Sequence, residues 1–283
     1  VGSSRQDGTA RSESSVAAAP DQGTGEDAAE KPEREPYFIK SVERVFAVIK
    51  AFDEDHPEMT LADIARITGL DRGAARRFLL TLVDLGYVAQ NGRMFSLRPR
   101  ILELGYAYLS SLSLPEIALP VMEDLVRRVG ESCALSVLDD TDVVFVARVP
   151  TRRFLSVSIN VGARFPAHTS SMGRVLLAGQ PDDWLDRYLE TVSPEHLTDK
   201  TVTDPQELRR TLMQVREQGW ALLDQELAEG VRSLAVPLRD KSGKVVAALN
   251  VSSHAADVET VHQYLPDVLE AAAAIEEGLG RIR

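Results

Sequence analysis

Residues 61–97 read LADIARITGLDRGAARRFLLTLVDLGYVAQNGRMFSL, and the spacing of apolar residues in this stretch decides the fold around it. Leu61, Ile64, Ala65 and Ile67 recur at helical intervals. Thr60 offers an N-cap, with Asp63 three residues on as a capping-box variant. Gly69 and Leu70 make a tight turn, and Asp71 caps a second helix whose buried face is Ala75, Phe78, Leu79 and Leu82. Gly86 stops that helix. Asn91-Gly92, set between short alternating runs, predicts a β-hairpin with both turn residues at positive φ. Upstream, Val42, Val45, Phe46, Ile49 and Phe52 predict one further amphipathic helix. Three helices followed by a short hairpin describe a winged helix-turn-helix.

Charge sets this segment apart. The 283-residue chain carries a net charge of −11, yet from Asp71 to Arg100 six arginines face two aspartates. Arg72, Arg76 and Arg77 sit early in a helix, where the partial positive charge of the N-terminus disfavours cations. An external polyanion would offset this, and the local field decides whether one is attracted. On that reading these arginines reach phosphates or guanine edges in a major groove, while Gly73 and Ala74 keep the helix surface low. Arg93, just past the hairpin turn, touches the backbone or minor groove, and Arg44, Thr60 and Asn91 complete the candidate nucleic-acid face. The alternatives are a solvated polar face on a structural bundle, or a winged helix that contacts protein.

The remaining chain falls into three parts. Residues 1–36 are rich in Ser, Gly, Ala, Pro and Glu and are expected to be a disordered tail. After the winged helix at 37–98, a connector helix at 99–114 places Ile101, Leu104, Gly105, Tyr108 and Leu112 on one face, with Pro115 breaking it. Residues 115–283 read as mixed α and β. A helix over 115–129 ends at Gly130, and strands follow at CALSVL, DVVFVARV and RFLSVSINV. PAHTSSMGRVLLA leads into a helix, and Asp204-Pro205 caps another that ends at Gly219. RSLAVPLRD and KVVAALNVSS form a strand pair, and an alanine-rich helix closes the chain. The class is α+β, with a largely antiparallel sheet.

Several functions are excluded or unsupported. No run approaches 18 apolar residues, so no membrane span is expected, and the N-terminal residues lack the apolar core of a secretory leader. Cys133 is the single cysteine, so no intrachain disulfide forms, and the reading suits a cytoplasmic protein. His168, Ser170 and Ser171 lie close together, but no G-x-S-x-G, H-E-x-x-H or P-loop accompanies them. The five histidines are scattered, which gives no ligand set for a metal. Neither catalysis, a cofactor nor a metal is expected.

SVERVFAVIKAF, LADIARITGLDRGAARRFLLTLVDLGYV, GARFPAHTSSMGRVLLA and GWALLDQELAEGVRSLAVPLRD together resemble the IclR family of bacterial transcription regulators, from about residue 37 to 283. RFPAHTSSMGRVLLA is most similar to the branch regulating the β-ketoadipate pathway of aromatic-acid breakdown. The resemblance implies a GAF-like effector-binding domain at 115–283, operator DNA and a small carboxylic acid as partners, and a homodimer, with a tetramer as the alternative. The family's C-terminal signature matches at Gly219, Glu226, Ser233, Leu234, Ala235, Leu238 and Asp240. It departs at Arg239 and at Leu223, where an aliphatic side chain replaces the usual Asp or Ser and implies an effector with an apolar body. Implied effector contacts are Leu223, Ser233, Asn250 and Ser252, with Ser171 and Met172 presenting backbone N–H groups at a helix N-terminus beside His168 and Ser170. Arg148 and Arg164 are candidate carboxylate partners.

Overall fold

The computed structural model describes residues 37–111, 113–151, 160–254 and 256–281, which divide into two units between Leu97 and Arg98. The expected tail at 1–36, most of the expected strand RFLSVSINV and Leu112 of the connector lie outside the described residues.

The first unit contains α1 (Lys40–Lys50), β1 (Glu58–Thr60), α2 (Leu61–Thr68), α3 (Arg72–Asp84), β2 (Val88–Asn91) and β3 (Met94–Leu97). The strands form an antiparallel sheet in the order β1-β3-β2. Val48, Met59, Ile64, Leu79, Leu82, Val88 and Phe95 are its buried core, so the periodicities of all three helices face one centre. Both caps form. The Asp71 carboxylate accepts from the Ala74 N–H at 2.8 Å, and Thr60 and Asp63 complete a reciprocal capping box.

Three expectations change here. Asn91 pairs with Met94 inside the ladder, so the hairpin loop is Gly92-Arg93, one residue later than the Asn-Gly signal implied. Gly92 carries the positive φ (+61°), as a glycine-led two-residue turn requires, and Arg93 is thereby placed at the tip of the wing. The register also sets Phe95 opposite Met59 of β1, a strand too short to show alternation in sequence. Ala74 is buried rather than part of a low outer surface, because the first turn of α3 lies against the core.

In the second unit a short 3-10 turn at Pro99–Ile101 leads into α4 (Leu102–Ser111), followed by α5 (Ser113–Val129). Pro115 lies within the first turn of α5 rather than ending the connector, since a residue there has no intrahelical N–H bond to lose. Then come β4 (Ser132–Asp139), β5 (Asp142–Val149), β6 (Arg164–Pro166), α6 (Ser171–Ala178), α7 (Asp182–Thr191), α8 (Pro205–Gln218) and β7 (Ala221–Asp224). β8 (Arg232–Arg239), β9 (Val245–Ser253), α9 (Val258–Gln263) and α10 (Leu265–Arg281) complete the unit. Every described pairing in the six-stranded sheet β6-β5-β4-β9-β8-β7 is antiparallel.

Alternation splits this sheet between two cores. Cys133, Leu135, Leu234, Leu249 and Val251 pack against α5, α9 and α10 on the outer face. Ala134, Phe145, Leu223, Ala235 and Ala248 pack with Met172, Leu176 and Leu212 of α6 and α8 on the inner face. The result is an α+β domain built on an antiparallel sheet, as the sequence predicts, with helices packed on both of its faces. β6, β7 and α9 were not anticipated, being short or weakly periodic.

Candidate functional site

The first unit gathers three elements around one groove. Thr60 and Ala62 at the start of α2, Arg72 and Arg76 on α3, and Gln90 and Arg93 of the hairpin line it together. Each element is held by a local device. The Asp63 carboxylate accepts from the Thr60 hydroxyl at 2.6 Å and from its N–H at 3.1 Å, which fixes the α2 N-terminus. Gln90 donates its side-chain amide to the Gly92 carbonyl at 3.0 Å, which braces the wing. Gln90 was not singled out in the sequence, because its place in the groove depends on the hairpin register.

Arg72, Arg76, Arg77 and Arg93 are exposed, and none forms an ion pair among the described residues. Gly73 is exposed on the same turn of α3 as Arg72, and Arg77 stands beside Arg76. Arg44, exposed on α1, and Asn91, exposed at the end of β2, do not line the groove. A concave surface with three guanidinium groups and two helix N-termini presents positive potential to an anion.

In the second unit, strand register brings the predicted effector residues into line. Leu223 of β7 lies opposite Ser233 of β8, and Ser233 lies opposite Ser252 of β9. Ser252 in turn faces Ser132 of β4, a residue that sequence reasoning missed because only the pairing reveals it. The adjacent row on the same face runs Ala221, Ala235, Asn250, Ala134 and Arg148. Ser132, Ser233 and Ser252 are half-buried, and Leu223 is buried in the inner core. The Asn250 side-chain carbonyl accepts from the Ala134 N–H at 3.0 Å, and the Ser132 and Ser252 hydroxyls are 3.1 Å apart.

The α6 N-terminus covers this face. Ser170 is its N-cap, and its hydroxyl accepts from the Gly173 N–H at 2.9 Å, which gives it a structural role. The Ser171 hydroxyl is buried with no hydrogen-bond partner among the described residues, and Met172 packs in the inner core. Gly173 permits this entry, because a Cβ there would lie 2.0 Å from the Ala167 carbonyl oxygen. His168 is buried beside α6. Burial pushes its pKa down from the ordinary imidazole value, opposed by the Glu195 backbone and reinforced by the Arg174 guanidinium.

Arg174 itself was not anticipated. It is buried, donates to the His168 carbonyl at 3.0 Å and forms an ion pair with the buried Glu226. Glu226 also accepts from the Val202 N–H at 3.2 Å, so one charge pair ties α6 to the segment before α8 and the segment after β7. A lone arginine inside the apolar run SMGRVLLA was the available signal. Arg164 is not open to a ligand: exposed at the start of β6, it pairs with Asp139 at 2.5 Å and Asp142 at 3.1 Å, which flank the β4–β5 turn.

Among the described residues no cluster of His, Cys, Asp and Glu could hold a metal, and no helix is long and apolar enough to cross a membrane. The chain matches the family described as bacterial transcriptional regulator IclR C-terminal over residues 106–277, and the IclR helix-turn-helix domain over 41–92. A Pca regulon regulatory protein of Pseudomonas putida is 43% identical over 242 residues, which span 84% of this chain and 83% of that protein. An IclR homologue of Microbacterium hydrocarbonoxydans, solved in complex with 4-hydroxybenzoate, superposes with a TM-score of 0.76 at 30% identity, covering 84% of this chain and 98% of that one. A transcriptional regulator structure from Rhodococcus sp. RHA1 is 50% identical with a TM-score of 0.77, covering 86% and 98%. The chain belongs to the IclR family of bacterial transcription regulators. It is a DNA-binding regulator rather than an enzyme.

Proposed function

We propose that α3 enters the major groove of operator DNA with Arg72, Arg76 and Arg77, while Arg93 at the wing tip reaches the adjoining backbone or minor groove. The supporting observation is the groove that gathers Thr60, Arg72, Arg76 and Arg93 from three elements, with no carboxylate paired to these arginines among the described residues. The second unit binds a small carboxylic acid from aromatic-acid breakdown on the inner sheet face, between the α6 N-terminus and the row from Leu223 to Ser132. The names of the related Pca regulators and the 4-hydroxybenzoate held by a structural relative favour this class.

The regulator acts in the cytoplasm as a homodimer, whose twofold matches a palindromic operator. Exposed Leu102, Leu104, Tyr106 and Tyr108 on α4 supply apolar surface for packing between protomers. Effector binding favours one spacing of the two DNA-binding heads, and a coupling of about 1–3 kcal/mol changes operator affinity about 5–150-fold.

Fluorescence anisotropy tests this directly. The protein is titrated onto DNA from upstream of its own gene at fixed salt, with and without 4-hydroxybenzoate, protocatechuate or β-ketoadipate. Specific binding that one acid shifts is the expected result. Specific binding that no acid shifts removes the effector assignment. Only nonspecific binding, with the salt slope unchanged in an Arg72→Ala/Arg76→Ala protein, points instead to a winged helix that contacts protein.

A further inference from the structure

We propose that the acidic segment at residues 21–36 docks in the groove of the winged-helix unit and competes there with DNA. The inference rests on the DNA-binding reading above and adds a regulator of that same face, supplied by the chain itself.

Charge complementarity carries it. Residues 1–20 hold two arginines and two carboxylates and are neutral. Residues 21–36 hold six carboxylates, Asp21, Glu26, Asp27, Glu30, Glu33 and Glu35, against Lys31 and Arg34 alone. The whole net charge of −4 therefore lies in the part of the sequence next to the winged helix. Apart from Pro32 and Pro36 this part has no apolar side chain larger than alanine, so charge rather than apolar burial has to hold it to a surface.

The groove offers the matching charge. Arg72, Arg76 and Arg93 line it, exposed and free of ion pairs among the described residues. The carboxylates at the starts of α2 and α3, Asp63 and Asp71, are engaged as caps. Cations of the second unit such as Arg164 and Arg216 are matched by aspartates of their own unit. The groove is thus where the acidic segment gains most.

Length permits the contact. A unit the size of residues 37–97 has a radius of gyration of about 10–11 Å, or roughly 27 Å across. The stretch from Asp21 to Tyr37 spans up to roughly 55 Å, about twice that width. Tethering within such a reach sets an effective concentration on the order of millimolar, so even weak ion pairing fills the groove part of the time. Competition then lowers affinity for all DNA by one common factor, and the factor shrinks as salt screens the pairing.

Two measurements on the full-length chain test this. Cys133 is buried, so Ala28→Cys places a single nitroxide label in the segment and leaves its charges intact. At low salt the label should broaden the backbone amide signals of Arg72, Arg76, Gly92 and Arg93. High salt, or Arg72→Ala/Arg76→Ala, should relieve the broadening. DNA affinity is then read in a chain carrying Asp21→Asn, Glu26→Gln, Asp27→Asn, Glu30→Gln, Glu33→Gln and Glu35→Gln, all outside the packed core. At low salt this chain should bind operator and random DNA about three- to tenfold more tightly than wild type, with a steeper salt slope, and the two should converge at high salt. Absence of salt-sensitive broadening in the groove overturns the proposal alone, even where the neutralised chain binds DNA better, since bulk repulsion then explains the gain. Broadening in the groove with unchanged DNA affinity overturns the DNA-binding reading of that groove and the competition with it, because two ligands of one groove must exclude each other.

Discussion

The two units use arginine in opposite ways. In the winged-helix unit Arg72, Arg76, Arg77 and Arg93 stand exposed without ion pairs among the described residues. In the effector unit Arg128, Arg164, Arg174, Arg209, Arg216 and Arg232 each face a carboxylate of the same unit. Internal matching makes an arginine part of the fold, whereas an unmatched row leaves its charge available to something outside the chain. The contrast supports the proposed DNA-binding face, against which the net charge alone would argue.

The largest effect should come from breaking the most buried match. Glu226→Ala leaves Arg174, 3% exposed, without its carboxylate, and loss of one member of a buried pair costs about 3–5 kcal/mol. Chemical denaturation of the variant should therefore show a markedly lower midpoint. Were the midpoint unchanged, Arg174 would not be stabilised by this pair, and the contrast between units would lose its strongest member. Arg76→Ala probes the opposite side. No described residue forms an ion pair with Arg76, so the melting temperature should stay close to that of the parent, while specific operator affinity falls by about 1–3 kcal/mol if a base edge is read. A uniform loss over all sequences, with a salt slope shallower by about one, would sharpen the assignment to a phosphate contact.

Much of this contrast could be read before any coordinates. Asp71, Thr60 and the 3.6-residue spacing of Ile64, Leu79 and Leu82 determine α2 and α3, because caps and periodicity are local properties. The wing was legible as a hairpin but not in register, since Asn-Gly is a preference that cross-strand pairing with β1 can override. On the inner face, Leu223, Ser233, Asn250 and Ser252 were reached through a family likeness. Their placement in two adjacent rows on one face, and the membership of Ser132 and Arg148, follow only from pairings across as many as 120 residues of sequence. The Arg174–Glu226 pair was out of reach for the same reason: each residue is unremarkable alone, and burial supplies its meaning.

A smaller effect separates anchoring from recognition within the winged-helix face itself. Thr60 lines the groove, yet its hydroxyl is engaged in the α2 capping box. Thr60→Ala should cost about 1 kcal/mol of unit stability, and Thr60→Ser, which keeps the hydroxyl, should restore most of it. Operator affinity that falls in Thr60→Ala and returns in Thr60→Ser would mark Thr60 as a positioning residue for the groove. A loss in both would show that the methyl group touches DNA.

The least expected change concerns the effector unit and acid. His168 is buried beside Arg174, and burial holds its pKa below the ordinary value of 6.5. The unfolded chain therefore binds this proton before the folded chain does, so stability rises with pH through the region below about 6.5 and falls on acidification. The arginines of the winged-helix unit keep their charge throughout that range, so its melting should be flat where that of the effector unit declines. Following each unit separately between pH 7 and pH 5, by Trp184 and Trp220 fluorescence for the second unit and by hydrogen exchange for α3, measures the difference. His168→Gln should remove the slope. A slope that survives in His168→Gln would move the acid sensitivity to another buried group and detach it from the α6 entry.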